Sequence, residues 1–327
     1  MRKDIIERLM KLTEEEKEIL KGKTIINQSI YTDDKQFIVD SSKMLSENQI
    51  ISIRRHTRFI DFPAHKHNYI EFNYVYKGKL NEIIHNKKIA LEEGEIIFLN
   101  KDITHSIEES SKEDIIINFI IRPEFFDFIL NLSESDNVIF SFLLKSVYLN
   151  NNNGEYLYFK VSDKKYIQEI LEKIILEIYE PSIMSSISIK LLVGLLIVEL
   201  IKYPDKIEVY SEDTYENLII VTVFKYIDKN YNTATLFEIS EILNQPNYKI
   251  SKLIKKHTNM TFKEILQEKR LNMAKQLLDE TDISVVEIIS LVGYENLTYF
   301  YKIFKEKYGL TPRNYKNNRI LKVDSLV

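Results

Sequence analysis

LFEISEILNQPNYKISKLIKKHTNMTFKEILQEKRLNMAKQLLDETDISVVEIISLVGYENLTYFYKIFKEKYGLTP, residues 236–312, is punctuated as a run of short helices. Thr235, Thr261 and Ser284 each stand three residues before a glutamate, namely Glu238, Glu264 and Glu287. That is the spacing of a capping box, in which hydroxyl and carboxylate satisfy the first free backbone N–H groups of a helix. Asn296 suits a further N-cap, and Pro246 and Pro312 suit first helical positions. The chain therefore reads as all-helical from 216 to about 317.

Charge divides at the same boundary. Residues 216–319 hold 16 Lys and Arg against 12 Asp and Glu, a net of +4, so with -4 for the whole chain the remainder carries -8. The surplus lies in YKISKLIKKH (248–257) and FYKIFKEKYGLTPRNYKNNR (300–319). A positive module tethered to a negative one points to an anionic partner, although taken alone such a run is more often a solvated helix face. A length of 327 residues suggests two or three domains, and 44% hydrophobic residues is enough for real cores. The absence of cysteine excludes disulfides, thiolate metal sites and cysteine nucleophiles. The N-terminus MRKDIIERLMKLTEEEKEILKG is charged throughout and has no apolar signal core. The run 187–201 is interrupted by Ser188, Lys190 and Glu199 and is too short to span a bilayer. A cytoplasmic protein with no membrane partner is expected.

The C-terminal stretch resembles the AraC-type DNA-binding domain over about 100 residues. The resemblance rests on Arg270, the Ala274-Leu277-Leu278 set, VGY at 292–294, YF at 299–300, FK at 304–305 and G-x-TP at 309–312. It implies two helix-turn-helix units joined by one long helix, promoter DNA and RNA polymerase as partners, and a homodimer. A helix from Thr261 to about Asp279 would be roughly 27 Å long at ~1.5 Å per residue, which holds two reading helices about one DNA turn, ~34 Å, apart. By resemblance Asn247, Tyr248, Lys249, Ser251 and Lys252 of the first reading helix face DNA, as do Leu297, Thr298, Tyr301 and Lys302 of the second. Ile250, Leu253, Ile254, Phe300, Ile303 and Phe304 fall on the inner faces. Ser240 and Ile289 depart from a usual alanine, Asn259 from a usual glycine and Gln245 from a usual capping serine.

Upstream the apolar period shifts toward two. Short strands are expected at 50–54, 69–76, 80–84, 88–91, 95–99 and 115–121, with turns at Gly78, His85-Asn86 and Glu93-Gly94. Within them His65-x-His67-x3-Glu71-x6-Gly78 is similar to the first box of the cupin barrel, and His105 stands where the second box implies one more histidine. Residues 65, 67 and 71 share parity, so on a regular strand they project to one side. Three imidazoles and a carboxylate suit a divalent metal. The usual glycine ahead of the first box is Phe59, and the usual proline and glycine of the second are Asn100 and Asp102. A metal site, a polar pocket without metal and purely structural histidines all remain open on these residues. Tyr69 joins His65, His67, Glu71 and His105 as a pocket candidate, with aromatic core of a sheet as its plainer reading. His56 and His85 read as surface or turn residues, and His257 as a backbone or phosphate contact.

The fold class expected is α+β. Residues 1–47 form an N-terminal helical extension, 48–122 a cupin-like antiparallel barrel, 123–203 a helical dimerisation segment, with a hairpin at about 150–160. Residues 204–215 form a linker and 216–319 an all-α double helix-turn-helix domain. The function this implies is a dimeric, non-catalytic transcription activator controlled by a small-molecule effector in the barrel, with no firm cofactor. The rivals are a metal-dependent cupin enzyme with an accessory DNA-binding module and a ligand-independent regulator.

Overall fold

The computed structural model describes residues 3–47, 49–132, 137–149, 154–211 and 215–317, and it divides into two compact units, 1–212 and 213–327. Among the described residues no helix is long and apolar enough to cross a membrane.

The first unit opens with α1 (Lys3–Met10) and α2 (Glu14–Leu20), then β1 (Ile38–Val39). A block of strands follows: β2 (Ile51–Arg55), β3 (Phe62–His67), β4 (Ile70–Lys77), β5 (Lys79–Ile84), β6 (Lys87–Glu92), β7 (Ile96–Leu99), β8 (His105–Ile107) and β9 (Ile115–Ile121). It closes with α3 (Asp127–Leu132), α4 (Val138–Tyr148), β10 (Glu155–Phe159), α5 (Lys165–Tyr179), α6 (Ser185–Ile201) and β11 (Ile207–Ser211). The strands form a five-stranded sheet, β1-β3-β8-β5-β6, and a six-stranded sheet, β11-β10-β7-β4-β9-β2. All pairs are antiparallel except β1 with β3. One apolar cluster joins them, with Phe62, Leu80, Ile84 and Ile107 from one sheet and Ile97, Leu99, Ile116 and Ile120 from the other. The six-stranded sheet is apolar on its second face too. There Phe72 stacks on Phe119 at 4.4 Å and Phe98 meets Phe142 of α4. Burial on both faces explains why IIINFII reads as a continuous apolar run and not as an alternation.

The N-terminal helices are latched to this body by buried charge. Thr13 and Glu16 form the expected capping box. The same Glu16 carboxylate accepts from Arg58 Nε at 2.8 Å and from Arg55. Arg55 also donates to the Leu9 and Lys11 carbonyls, and Arg58 to those of Met10 and Lys112. Glu16 and Arg58 are fully buried, so the Glu16 carboxylate depends on Arg55 and Arg58 together, and Arg58 on Glu16, for compensation.

Several expectations are corrected here. His65 and His67 lie on β3, a strand the alternation did not reveal because FPAHKH contains a proline and three polar residues. Glu71 lies on β4 in the other sheet, so shared parity on one strand is not what gathers these groups. The segment read as a linker carries the edge strand β11, paired with β10 through all five residues; residues 212–214 lie outside the described part. The expected hairpin near 150–160 supplies only β10, which pairs with β7 and β11, and residues 150–153 lie outside the description. Helix in the N-terminal extension ends at Leu20 apart from two short 3-10 turns.

The second unit is helical: α7 (Tyr215–Asn230), α8 (Leu236–Leu243), α9 (Asn247–Thr258), α10 (Phe262–Glu280), α11 (Val285–Leu291) and α12 (Leu297–Tyr308). Thr261–Glu264 and Ser284–Glu287 are full capping boxes. Thr235 caps α8 through Glu238 N, but Glu238 turns away to accept the Tyr226 hydroxyl. Asn259 takes the left-handed conformation, φ 59°, which asparagine tolerates, so it replaces glycine at little strain. Ser240 and Ile289 are buried within the helical packing.

Replacing Arg58 by Met is expected to lower unfolding free energy by about 1.5–3 kcal/mol, because it removes the charge-assisted hydrogen bonds of Arg58 and leaves the buried Glu16 carboxylate to Arg55 alone. Urea denaturation checks this; a loss under ~1 kcal/mol would show that the latch is solvated.

Candidate functional site

The register of β3 against β8 sets His65 directly opposite His105. Their ring centroids are 4.2 Å apart, and His67 is 5.6 Å from His105. Both sit between the sheets, where β4 supplies Glu71 and β5 supplies Glu82. Glu71 accepts from the Tyr69 hydroxyl at 3.1 Å and from Asn118 at 3.3 Å. Glu82 accepts from Asn73 at 2.8 Å, and its second oxygen lies 3.4 Å from His105 Nδ1. That approach is near enough for charge attraction but off hydrogen-bond alignment, since neither atom has a hydrogen-bond partner. Glu82 shares parity with the buried Leu80 and Ile84, a signal in the sequence that went unread.

The imidazoles are held in defined tautomers. His65 Nδ1 contacts the Pro63 carbonyl at 2.9 Å and His67 Nδ1 the Tyr69 carbonyl at 2.7 Å. A carbonyl only accepts, so both Nδ1 atoms carry the proton and both Nε2 atoms present lone pairs. One ligand atom from each of His65, Glu71 and His105 lies within 4.8 Å of the others. His67 is not in that set; it stacks on Tyr69 at 4.7 Å. The four-ligand expectation thus contracts to three among the described residues. His105 Nε2 is buried without a partner, and two imidazoles with one carboxylate match the chemistry of a first-row divalent metal.

Burial dominates the proton affinities. It pushes His67 down to about 3, with the neighbouring His105 adding to the effect. It holds His65 well below the usual imidazole range and lifts Glu71. For His105 burial works in the same downward direction, but Glu82 and Glu71 outweigh it and raise the value. His56, expected at the surface, is buried; burial and then the charge of Arg54 bring it down to about 3. His85 does occupy the β5–β6 turn, at φ 49°. Phe59, standing where the cupin box has glycine, adopts φ 70°, a strained backbone for an aromatic residue. The cavity beside the histidines measures only about 30 Å³, room for roughly one or two waters. Tyr31, Val39 and Met44 of the N-terminal segment line it together with Arg54.

In the second unit Asn247, Tyr248, Lys249 and Lys252 are exposed on α9, and Leu297, Thr298 and Lys302 on α12; Ser251 and Tyr301 are half-buried. Ile250, Leu253, Ile254, Phe300, Ile303 and Phe304 are all buried. Each helix therefore presents a polar, cationic face over an apolar one. His257 is a correction: it is buried, and its Nε2 lies 2.9 Å from Glu216.

Comparison with known proteins follows the same division. Residues 49–178 match a family profile described as an AraC-like ligand binding domain, and residues 239–318 one described as a helix-turn-helix domain. The xylose operon regulatory protein of Haemophilus influenzae is 31% identical over 103 residues, covering 31% of this chain and 26% of the relative's length. The transcriptional activator RhaR of Mannheimia succiniciproducens is 24% identical over 284 residues, covering 86% of this chain and 96% of that one. The crystal structure of ToxT from Vibrio cholerae is similar at 15% identity and a TM-score of 0.32, covering 81% of this chain and 96% of that one.

Below pH ~6.5 His56 and His67 protonate in the unfolded chain and not in the fold, so stability falls as pH drops toward 3. In His56→Gln the slope between pH 5.5 and 4 is expected to be shallower by about 1.4 kcal/mol per pH unit. His105, with its raised value, is charged in both states there, so His105→Gln should leave the slope unchanged below ~6.5, where it removes a constant stabilisation, and alter the slope only above it. Denaturant titrations at stepped pH check this; an unaltered slope in His56→Gln would mean that this imidazole is charged in the fold.

Proposed function

Because the chain belongs to the AraC-type family of transcription regulators, we propose that it binds promoter DNA sequence-specifically under control of a small molecule held in the first unit. It acts as a dimeric activator with RNA polymerase as partner, and catalyses no reaction. The observation that carries this is the pair of reading helices, α9 and α12, each offering hydrogen-bonding and cationic side chains outward from a sealed core. The proposed effector contacts are His65, His67, Tyr69, Glu71 and His105. A sugar-sized effector does not fit the present void, so Tyr31, Val39 and Met44 must move to admit it. That makes the latched N-terminal segment the element whose position the effector sets. The second reading, a divalent metal on His65, Glu71 and His105, is favoured by the orphaned His105 nitrogens. Such a metal would fix the interior and polarise a bound ligand.

The dimer surface we propose is the outer stripe of α6, where Ile187, Leu191 and Val198 are 51%, 67% and 52% exposed. They recur at helical spacing along one face, and a second copy of the same stripe is the matching apolar surface. Leu196, on the opposite side of the same helix, is fully buried within its own unit and is not part of that stripe.

In a mobility-shift titration Lys252→Ala and Lys302→Ala are expected to weaken operator binding by about 1–3 kcal/mol and random DNA less. Equal losses on both would reduce these lysines to phosphate contacts. In the same titration the double variant His65→Gln, His105→Gln should keep basal binding and lose the effector response; a retained response would make these residues scaffold. Leu191→Asp is expected to sediment as a monomer; dimers in that variant would place the interface elsewhere.

A further inference from the structure

The first unit holds a second cavity, outside the sheet sandwich. It measures about 650 Å³, against about 30 Å³ beside the histidines. Only the larger lies in the range of roughly 300–1,000 Å³ typical of small organic ligands. It sits where the chain turns at Pro181 from α5 into α6, over the start of β2. Ile51, Phe125 and Ile189 line it as buried residues, and Ile50 and Ile178 as half-buried ones.

Its polar groups are unequal. Ser185 donates its hydroxyl proton to Glu177 and accepts from Ser182 N at 2.7 Å, so the acidic group and its serines are mutually occupied. Lys190 is half-buried in the same wall and makes no hydrogen bond or ion pair among the described residues. A cation partly withdrawn from water, beside an apolar floor, is incompletely compensated. We propose that this cavity binds an amphipathic monoanion, an aliphatic carboxylate whose head group pairs with Lys190 and whose chain lies over Ile51, Phe125 and Ile189. The Glu177 carboxylate in the lining disfavours a dianion. This site goes beyond the effector contacts proposed between the sheets and does not depend on them.

The chain has no tryptophan, and Ile183 lines the cavity at 98% exposure. Ile183→Trp in the full chain therefore places a single indole at the mouth. Titration with octanoate is expected to give a saturable blue shift, and adding Lys190→Gln to weaken it at least tenfold while changing 1-octanol binding little. Calorimetry of octanoate on the unsubstituted chain gives the same answer without the reporter. No saturable signal and no heat below the micelle threshold would overturn the proposal, as would equal affinity for octanoate and octylamine. The double variant His65→Gln, His105→Gln should bind octanoate normally. Loss of binding there would move the ligand into the sandwich and overturn the site, whereas failure of the sandwich reading alone would leave octanoate binding intact.

Discussion

The pairing of β3 with β8 sets what the first unit can be. It places His65 opposite His105, with an irregularity between Phe62 and His65 that lets both Phe62 and the imidazoles face inward. A strand has a period of two, so a slip of one residue would turn Lys66 into the interior in place of the imidazoles. The interior would then hold an ammonium where it now holds groups that can stay neutral. Everything proposed for the sandwich follows from that register, because Glu71 arrives from a different sheet and meets the histidines only if both sheets close over them.

Closing over so many ionisable groups imposes a second condition. Each buried polar atom needs a partner or costs about 1–3 kcal/mol. Tyr69 and Asn118 satisfy Glu71, and Asn73 satisfies one oxygen of Glu82. His67 Nε2, both ring nitrogens of His105, the second oxygen of Glu82 and the side-chain oxygens of Asn73 and Asn118 are left over. An interior left incompletely satisfied, beside a void of water size, is the condition that the proposed effector site requires. A wholly scaffold role for the histidines would gain from apolar residues of the same volume. The N-terminal segment is built to match: Arg54 lies 4.4 Å over the Tyr31 ring and donates to its hydroxyl, so the cover of the cavity is itself fastened by charge.

The helical unit was legible to within a residue or so because its signals are local, although Pro246 is the N-cap of α9 and not its first helical residue. A hydroxyl three residues before a glutamate announces a helix start wherever it occurs, and the apolar residues of 246–257 and 296–308 recur at the helical period. The sandwich was legible in kind but not in assignment. FPAHKH carries no alternation that marks it as a strand, and IEVYS looked like a linker because its partner strand lies some fifty residues earlier. Pairing between distant strands leaves little trace in either one. The histidines were found by their spacing, yet the reason they converge is tertiary. Glu82 and His56 were missed for the opposite reasons: one sits inward in a short polar-looking hairpin, the other in an arginine-rich stretch that reads as surface but is folded inward by Glu16 and the N-terminal helices.

Arg270 shows how a residue noticed as a family signature gains a physical role. Its Nε donates to the Tyr231 carbonyl at 2.6 Å and its Nη2 to the Asn232 carbonyl at 2.9 Å. Both carbonyls belong to the turn between α7 and α8, while Arg270 sits mid-way along α10. Gly293 meets the same turn from the second helix-turn-helix, at φ 87°, and a Cβ there would come 2.1 Å from the Asn232 oxygen. The turn is thus gripped by the connecting helix and by the second reading unit together. Two carbonyls side by side call for a forked donor, which guanidinium supplies and an ammonium does not. Base readout by two helices at once requires their separation to hold against bending of the helix that joins them. That requirement, more than any contact with DNA, is what Arg270 and Gly293 satisfy.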